Sequence, residues 1–199
     1  MALSVGDVCG HGAAKHSAMS ATRQAIRDAA RSGLDPAHVL LAGHRCLRAF
    51  DVDEYATAVF GLLDLRSLTL VFANAGHPPP LLSAPRESAF LEFAADLPLG
   101  IAEPFLPALR EVTVPAGSLL VFYTDGVTER ERAPIRGAAE LRDAAIFATK
   151  FMWMPTALVI EKRMFLTGAN RDDAAILTAW MPAGPGPQRT LTKAFERPF

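Results

Sequence analysis

The sequence predicts an α+β domain, because helical and extended patterns occupy separate stretches of its 199 residues. Apolar side chains at helical spacing mark residues 13–31, and a second helix is predicted from Asp35-Pro36 to about residue 50. β-rich segments follow at 57–63 and 68–72, with a turn between them. Helices grouped apart from antiparallel hairpins are typical of this fold class.

The first elements follow from local signals in the sequence. Residues 3–8 read as a short buried strand. In the helix predicted for residues 13–31, Met19 and Ile26 lie on one face, and Gly33 ends the helix. The amino-terminal part of the chain is therefore expected to be a strand followed by two helices.

The second half of the chain returns to strands and then to helix. One predicted strand begins at Leu81, and three more cover residues 111–114, 118–123 and 174–180. Because Pro115-Ala-Gly117 is a turn sequence, the strands on either side of it are expected to form a hairpin. Residues 137–166 are mainly helical, with Pro155 as a break.

The charge balance excludes some classes of function. Lysine plus arginine (20) nearly cancels aspartate plus glutamate (21), which gives no electrostatic basis for binding nucleic acid or a membrane surface. The chain has no apolar run long enough for a membrane span and no signal-peptide pattern at its start. Cys9 and Cys46 lack zinc-site spacing, so no disulfide framework is expected and a reducing cytoplasm fits best.

Three aspartates lie where a predicted strand ends or begins, and they are Asp7, Asp125 and Asp172. A carboxylate at a strand end is held rigidly, so it can bind a metal without a large entropic cost. Gly6 and Gly126 flank two of them, and glycine lets the backbone approach a ligand closely. Carboxylates without partner cysteines favour hard cations such as magnesium or manganese over zinc.

Three carboxylates brought together would repel one another strongly in the absence of cations. Two divalent ions remove that repulsion, and ions roughly 4 Å apart can share a water that is activated for attack on phosphorus. A single aspartate at a strand end is, however, more often a turn or cap residue. Spacing alone therefore leaves turn residues and metal ligands open as alternatives.

Five short phrases follow one another along residues 6–177. They are Gly6-Asp-Val-Cys-Gly-His-Gly12, Asn74-Ala-Gly-His-Pro-Pro-Pro-Leu81, Leu97-Pro-Leu-Gly-Ile101, Tyr123-Thr-Asp-Gly-Val-Thr-Glu129 and Asp172-Asp-Ala-Ala-Ile-Leu177. Together they resemble the bacterial branch of the metal-dependent PPM phosphatases. The sporulation stage II E protein and the stress-response sigma-factor regulators typify this branch.

The resemblance implies a β-sandwich flanked by helices, with two manganese or magnesium ions at one end. It implies that Asp7 bridges both ions and that the Val8 carbonyl is the backbone ligand beside it. Asp125 and Asp172 match the positions that complete the metal site.

Four further residues of the same phrases receive lesser roles. Asp173 matches a neighbour that supports the metal ligands, and Gly126 adjoins one of them. His11 stands between two glycines at a helix entrance, where it either lies close to the metals and a phosphate or simply caps the helix. His77 lies in a proline-rich loop, where a structural role is the simpler interpretation.

The resemblance also implies a substrate and a partner. The family's usual substrate is a phosphoserine or phosphothreonine on a small regulatory protein, commonly an anti-sigma-factor antagonist. Removing that phosphate lets the antagonist capture its anti-sigma factor and free a sigma factor. The implied enzyme is a cytoplasmic phosphoprotein phosphatase that uses a metal-activated water.

The chain departs from the family pattern in two places. It begins after the usual hairpin with a Gly-Gly-Asp-aromatic motif, so we expect an N-terminally truncated domain at residues 1–182 and a flexible tail at 183–199. The missing hairpin would also leave a sheet edge exposed. Phe151-Met-Trp-Met154 has no family counterpart, and it is either core or a surface for a partner or a homodimer. Core is the simpler interpretation.

Three hypotheses follow for the activity. The complete set Asp7, Asp125 and Asp172 favours an active protein phosphatase. The missing hairpin favours a catalytically inactive module that still binds the partner. A small-molecule phosphohydrolase would use the same metals, but it predicts a deep closed pocket where a protein phosphatase needs a shallow accessible one.

Overall fold

The computed structural model describes most of the chain, namely residues 1–9, 13–50, 55–91, 96–129, 133–151, 153–165 and 173–183. The chain divides into two compact units. The first comprises Met1–His77 and Ala94–Glu111, and the second comprises Pro78–Phe93 and Val112–Phe199. Each unit contains a cluster of buried apolar side chains that forms a core of its own.

Two antiparallel four-stranded sheets form the β part of the described chain. The first has the strand order β1-β2-β3-β6, and the second has the order β5-β4-β7-β8. In chain order the strands are β1 (Ala2–Val8), β2 (Ala56–Asp64), β3 (Thr69–Ala75), β4 (Leu81–Ala84), β5 (Glu87–Phe90), β6 (Arg110–Thr113), β7 (Leu119–Tyr123) and β8 (Ile176–Trp180). With the helices between them, these sheets confirm the predicted α+β class.

Four α-helices accompany the sheets in the described residues, and they are α1 (Ala13–Arg31), α2 (Pro36–Arg48), α3 (Pro134–Ala148) and α4 (Thr156–Met164). Helix α2 begins as the sequence predicts. Asp35 Oδ1 accepts hydrogen bonds from the N–H groups of Ala37 at 2.9 Å and His38 at 3.1 Å. Pro36 lies in the first turn, where a backbone N–H has no acceptor within the helix, so the N–H that proline lacks costs no hydrogen bond.

The core of the first unit lies between α1, α2 and the strands β2 and β3. Leu40 and Leu47 of α2 are fully buried there beside Phe60 of β2. Met19 and Ile26 of α1 pack against this cluster, as their shared helical face predicts. Burial of these apolar side chains contributes most of the free energy that holds the two helices to the sheet.

The core of the second unit lies between β7, α3 and α4, with Leu141 and Ile160 fully buried in it. The segment 151–154 was expected to be core, and its residues differ in burial. Phe151 and Met154 pack against the cluster, which agrees with that expectation. Trp153 is 79% exposed, so for this residue the expectation is wrong.

The predicted hairpin around residues 115–117 is wrong, because the strands on its two sides belong to different sheets. The residues of this turn pair with the end of β8 instead. The Gly117 N–H donates to the Met181 carbonyl at 2.8 Å, and the Met181 N–H donates to the Ser118 carbonyl at 2.9 Å. The turn therefore passes the chain from one sheet to the other.

Smaller differences concern the lengths of elements. Strand β5 has no counterpart among the predictions, and β8 begins at Ile176 rather than at residue 174. The expected tail lies outside the described residues from residue 184 onward. Cys9 and Cys46 are both free thiols, as their spacing predicts.

In the parts of the chain that the structure describes, no helix is both long enough and apolar enough to cross a membrane.

A buried histidine joins α2 to the segment that follows residue 99. His44 is fully buried, and its Nδ1 accepts a hydrogen bond from the Gly100 N–H at 3.1 Å. Because Nδ1 is the acceptor, Nε2 carries the proton and donates to Glu103 at 3.0 Å. The Phe105 ring stacks on the imidazole with 4.2 Å between ring centres. The hydrogen bond from His44 lowers the pKa of the Glu103 carboxyl below its usual range.

This pair predicts a pH-dependent contribution to stability. A lowered folded-state pKa stabilises the fold above the unfolded pKa, and that contribution is lost as the pH falls through the folded pKa. We expect Glu103→Gln to lower the melting temperature at pH 7, and the difference from the unmodified chain to shrink between about pH 5 and pH 3. Thermal unfolding followed by circular dichroism measures it.

Glu111→Gln provides the control, since Glu111 is an exposed glutamate of β6. It should leave the melting temperature nearly unchanged across the same range, because among the described residues Glu111 has no hydrogen bond to a buried side chain such as the one that His44 donates to Glu103. A Glu103→Gln deficit of constant size from pH 7 to pH 3 would contradict the role assigned to the ionised carboxylate.

Candidate functional site

The first predicted ligand, Asp7, lies one residue before the end of β1. This strand pairs with β2 in a register that sets Asp7 opposite Thr57. Asp7 Oδ1 accepts a hydrogen bond from the N–H of Val8 at 2.8 Å. Asp7 is half-buried and Val8 is buried. Strand pairing fixes the backbone at this point, and the short hydrogen bond orients the carboxylate.

Residues 74–77, the first part of the phrase at 74–81, form a tight loop in the same unit. The Asn74 side chain donates to the His77 carbonyl and accepts from the His77 N–H, both at 2.8 Å. Gly76 has φ +64°, and a β-carbon there would lie 2.6 Å from Cγ of Pro98. Only glycine fits both the backbone angle and the close approach.

This loop holds His77 beside the strand that faces Asp7. His77 is buried, and its Nδ1 lies 2.9 Å from the Thr57 hydroxyl. Because Thr57 is directly opposite Asp7, the two side chains lie on the same face of the sheet. The packing agrees with the structural role expected of His77. Thr57 was not predicted to take part in this arrangement, because a threonine in a strand carries no functional signal in the sequence.

The second predicted ligand, Asp125, follows the end of β7 and begins a 3₁₀ turn at Asp125–Val127. Its Oδ1 accepts the N–H of Gly126 at 2.8 Å. Its backbone carbonyl accepts the N–H groups of Thr128 and Glu129, both at 2.8 Å. The side chain is exposed. The turn therefore presents the carboxylate to solvent on a hydrogen-bonded backbone.

Asp125 and Asp173 lie at the same end of the β7–β8 pair. The register Tyr123↔Ile176 continues beyond both strands through Thr124 and Ala175. The Thr124 N–H donates to the Ala175 carbonyl at 3.1 Å, and the Ala175 N–H donates to Thr124 Oγ1 at 2.9 Å. Each aspartate lies within two residues of this contact. The third predicted ligand, Asp172, and His11 lie outside the described residues.

The chemistry of the donors suits a hard cation. Asp7 and Asp125 each bind the following backbone N–H through Oδ1, and carboxylate oxygens are what magnesium and manganese prefer. Asp7 belongs to the first unit, and Asp125 with Asp173 belongs to the second. Within the described residues, no three or more histidine, cysteine, aspartate or glutamate side chains group as a metal site. The described carboxylates fit such an ion individually.

Helix α3 presses directly against the turn that carries Asp125. A β-carbon at Gly137 would overlap the carbonyl oxygen of Thr128 and lie 2.6 Å from its carbonyl carbon. Thr128 closes the turn, because both its N–H and its hydroxyl donate to the Asp125 carbonyl. The absence of a side chain at Gly137 therefore decides how closely α3 supports this turn. A glycine in a helical pattern gives no such signal in the sequence.

We expect Gly137→Ala to destabilise the fold by about 2 kcal/mol, because the new methyl group meets rigid backbone. The higher helix propensity of alanine offsets about 1 kcal/mol at most. Urea unfolding at equilibrium measures the difference.

Gly43→Ala in α2 is the matched control. Its β-carbon would lie 2.8 Å from Cγ1 of Ile26, a side-chain atom rather than backbone, so we expect a smaller loss of stability. Equal stability of the two alanine variants would contradict the assigned contact at Gly137.

Comparison with known proteins identifies relatives over nearly the whole chain. The model of the stage II sporulation protein E family (SpoIIE) matches residues 1–181. Phosphoserine phosphatase RsbU of Bacillus subtilis is 25% identical over 129 residues, which are 64% of this chain and 38% of RsbU. The chain thus spans little more than a third of the length of this relative.

Solved structures show the same fold. The RsbU and RsbW domains of Rv1364c from Mycobacterium tuberculosis are 30% identical, with a TM-score of 0.82 over 94% of this chain and 52% of that one. The catalytic domain of the serine/threonine phosphatase PstP, solved with two manganese ions, has a TM-score of 0.64 at 14% identity. It covers 89% of this chain and 86% of its own.

These comparisons confirm the resemblance carried by the five phrases. The match of the family model covers both units, and the fold agrees with solved phosphatases of the PPM type. The chain belongs to the stage II sporulation protein E family and has the fold of the PPM phosphatases.

Proposed function

We propose that this chain is a metal-dependent phosphoprotein phosphatase that hydrolyses a phosphoserine or phosphothreonine. The observation that carries the proposal is the end of the β7–β8 pair. There a hydrogen-bonded contact between Thr124 and Ala175 fixes the backbone close in sequence to Asp125 and Asp173, in a chain of the SpoIIE family. Rigid carboxylates at a strand end favour cation binding.

The proposed ligands are those that the family pattern selects. By that pattern, Asp7 and the Val8 carbonyl would hold two manganese or magnesium ions. Asp125 and Asp172 complete the site. The local geometry supports this, since backbone N–H groups already orient the Asp7 and Asp125 carboxylates.

Three other residues are proposed to support the ligands. Asp173 helps to hold the carboxylate beside it, and Gly126 fixes Asp125 through its N–H. His11 lies near the phosphate or caps the helix that follows it. When bound, the two cations supply an activated water and stabilise charge at phosphorus. The chain's own side chains position the ions and accept no phosphoryl group.

The proposed substrate is a small regulatory protein of the anti-sigma-factor antagonist type. The relative RsbU is a phosphoserine phosphatase, which supports the kind of phosphoester. We assign the activity to residues 1–182 and propose that it acts in the cytoplasm. Because Asp125 is exposed, a cation held there would be open to a phosphoserine on the surface of another protein.

Hydrolysis of p-nitrophenyl phosphate tests the activity. We expect turnover in manganese, none in EDTA, and recovery when manganese is restored. Asp125→Asn keeps the size of the side chain and removes its charge, so it should reduce turnover at least about a hundredfold.

Asp28→Asn is the matched control, because Asp28 is an exposed aspartate of α1 that pairs with Arg31 at 3.4 Å. This variant should retain full activity. A folded, manganese-bound chain without turnover would contradict the phosphatase proposal and favour the inactive partner-binding module.

Metal binding is tested separately from turnover. We expect manganese to raise the melting temperature of the unmodified chain, because a ligand that binds the native state stabilises it. Asp125→Asn should lose most of this rise, and Asp28→Asn should keep it. A rise of equal size in all three proteins would argue against Asp125 as a ligand.

A further inference from the structure

A groove lies between helix α4 and the beginning of strand β8, within the second unit. It encloses about 580 Å³. Residues that line it include Ala157, Leu158, Glu161, Phe165, Ala174 and Ile176. Its walls are mostly apolar, and Glu161 is the one charged side chain among the described residues that line it.

The buried side of α4 fixes the shape of this groove. Ile160 and Met164 pack into the core of the second unit. The hydroxyls of Thr156 and Thr178 are hydrogen-bonded at 2.8 Å, which joins the start of α4 to the middle of β8. Leu158, by contrast, is 37% exposed. The helix is held firmly on the strand while an apolar side chain remains open to a ligand.

One end of the groove lies next to the acidic end of the β7–β8 pair, which is the end beside Asp125 and Asp173. Ala174 lines it and directly follows Asp173. The next residue, Ala175, is bound to Thr124 Oγ1 at 2.9 Å, and Thr124 directly precedes Asp125. A protein whose phosphate is bound by cations at these aspartates would therefore have its neighbouring residues within reach of the groove.

We propose that this groove binds the residues that flank the phosphorylated residue of the protein substrate. It would take an apolar side chain with a lysine or arginine beside it. The apolar walls select the first, and the carboxylate of Glu161 selects the second. This proposal rests on the proposed phosphatase function and adds to it a preference for sequence around the phosphoester.

The length of the groove agrees with a short extended peptide. From Ala157 to Phe165 the helix advances eight residues, which is about 12 Å at 1.5 Å per residue. An extended peptide advances about 3.3 Å per residue, so three to four of its residues fit along this wall. Recognition would thus extend a few residues to one side of the phosphoserine.

Synthetic phosphoserine peptides test the proposal. One carries Leu-Lys at the second and third residues from the phosphoserine, a second carries Ala-Glu there, and both are made with the pair on either side. With manganese, we expect kcat/KM to be about tenfold higher for Leu-Lys than for Ala-Glu on one of the two sides. The ratio between the two peptides is the readout, so it does not depend on the absolute rate.

Two variants test whether the groove causes that ratio. Glu161→Lys should reduce the ratio about fivefold, because the new lysine repels the lysine of the peptide. Leu158→Ser should also reduce it, because the leucine of the peptide loses an apolar contact. Glu111→Lys makes the same change of charge on the first unit and should keep the ratio. The melting temperature of each variant shows that it folds.

The outcomes separate the two proposals. If the unmodified chain hydrolyses p-nitrophenyl phosphate but treats both peptides alike, the groove proposal is overturned and the phosphatase stands. A ratio that survives Glu161→Lys and Leu158→Ser also overturns it. If nothing is hydrolysed, the phosphatase fails, and fluorescence anisotropy of the labelled Leu-Lys phosphopeptide still decides the groove. Weaker binding by Glu161→Lys supports it, and equal binding overturns it.

Discussion

The pairing of β7 with β8 is the constraint on which the acidic end of the second unit depends. Its register continues through the contact between Thr124 and Ala175, which leaves Asp125 and Asp173 at one end of the strand pair. Backbone hydrogen bonds and the buried side chains of β7 hold them in place. The free energy of folding thus fixes the backbone that carries both aspartates.

Strand β1 imposes a similar constraint in the first unit. The ladder with β2 sets Asp7 opposite Thr57, and Thr57 in turn contacts His77 in the loop that Asn74 closes. Asp7 and Asp125 have a common local geometry, because each uses one oxygen to accept the N–H of the next residue. The two units therefore present their carboxylates in the same way, on backbone that is already hydrogen-bonded.

Local signals predicted the helices well and the strand partners less well. Asp35 marks the start of α2, and its side chain accepts the first free N–H groups of the helix. A cap acts within three residues, so a short stretch of sequence contains all the information it needs. The turn at residues 115–117 shows the opposite case. Its sequence indicates that the chain turns, but the partner of each strand depends on Met181, far along the chain. A turn signal alone therefore predicted a hairpin that does not form.

The sequence by itself determined the family, the fold class, most element positions and the aspartates proposed as ligands. Those features depend on short phrases and on periodicities within single elements. Only the tertiary structure decided that Thr57 meets His77, 20 residues away, and that Gly137 lets α3 approach Thr128. It alone also produced the groove between α4 and β8. Such contacts depend on sheet register and on the packing of distant surfaces, and neither is encoded in the residues next to them.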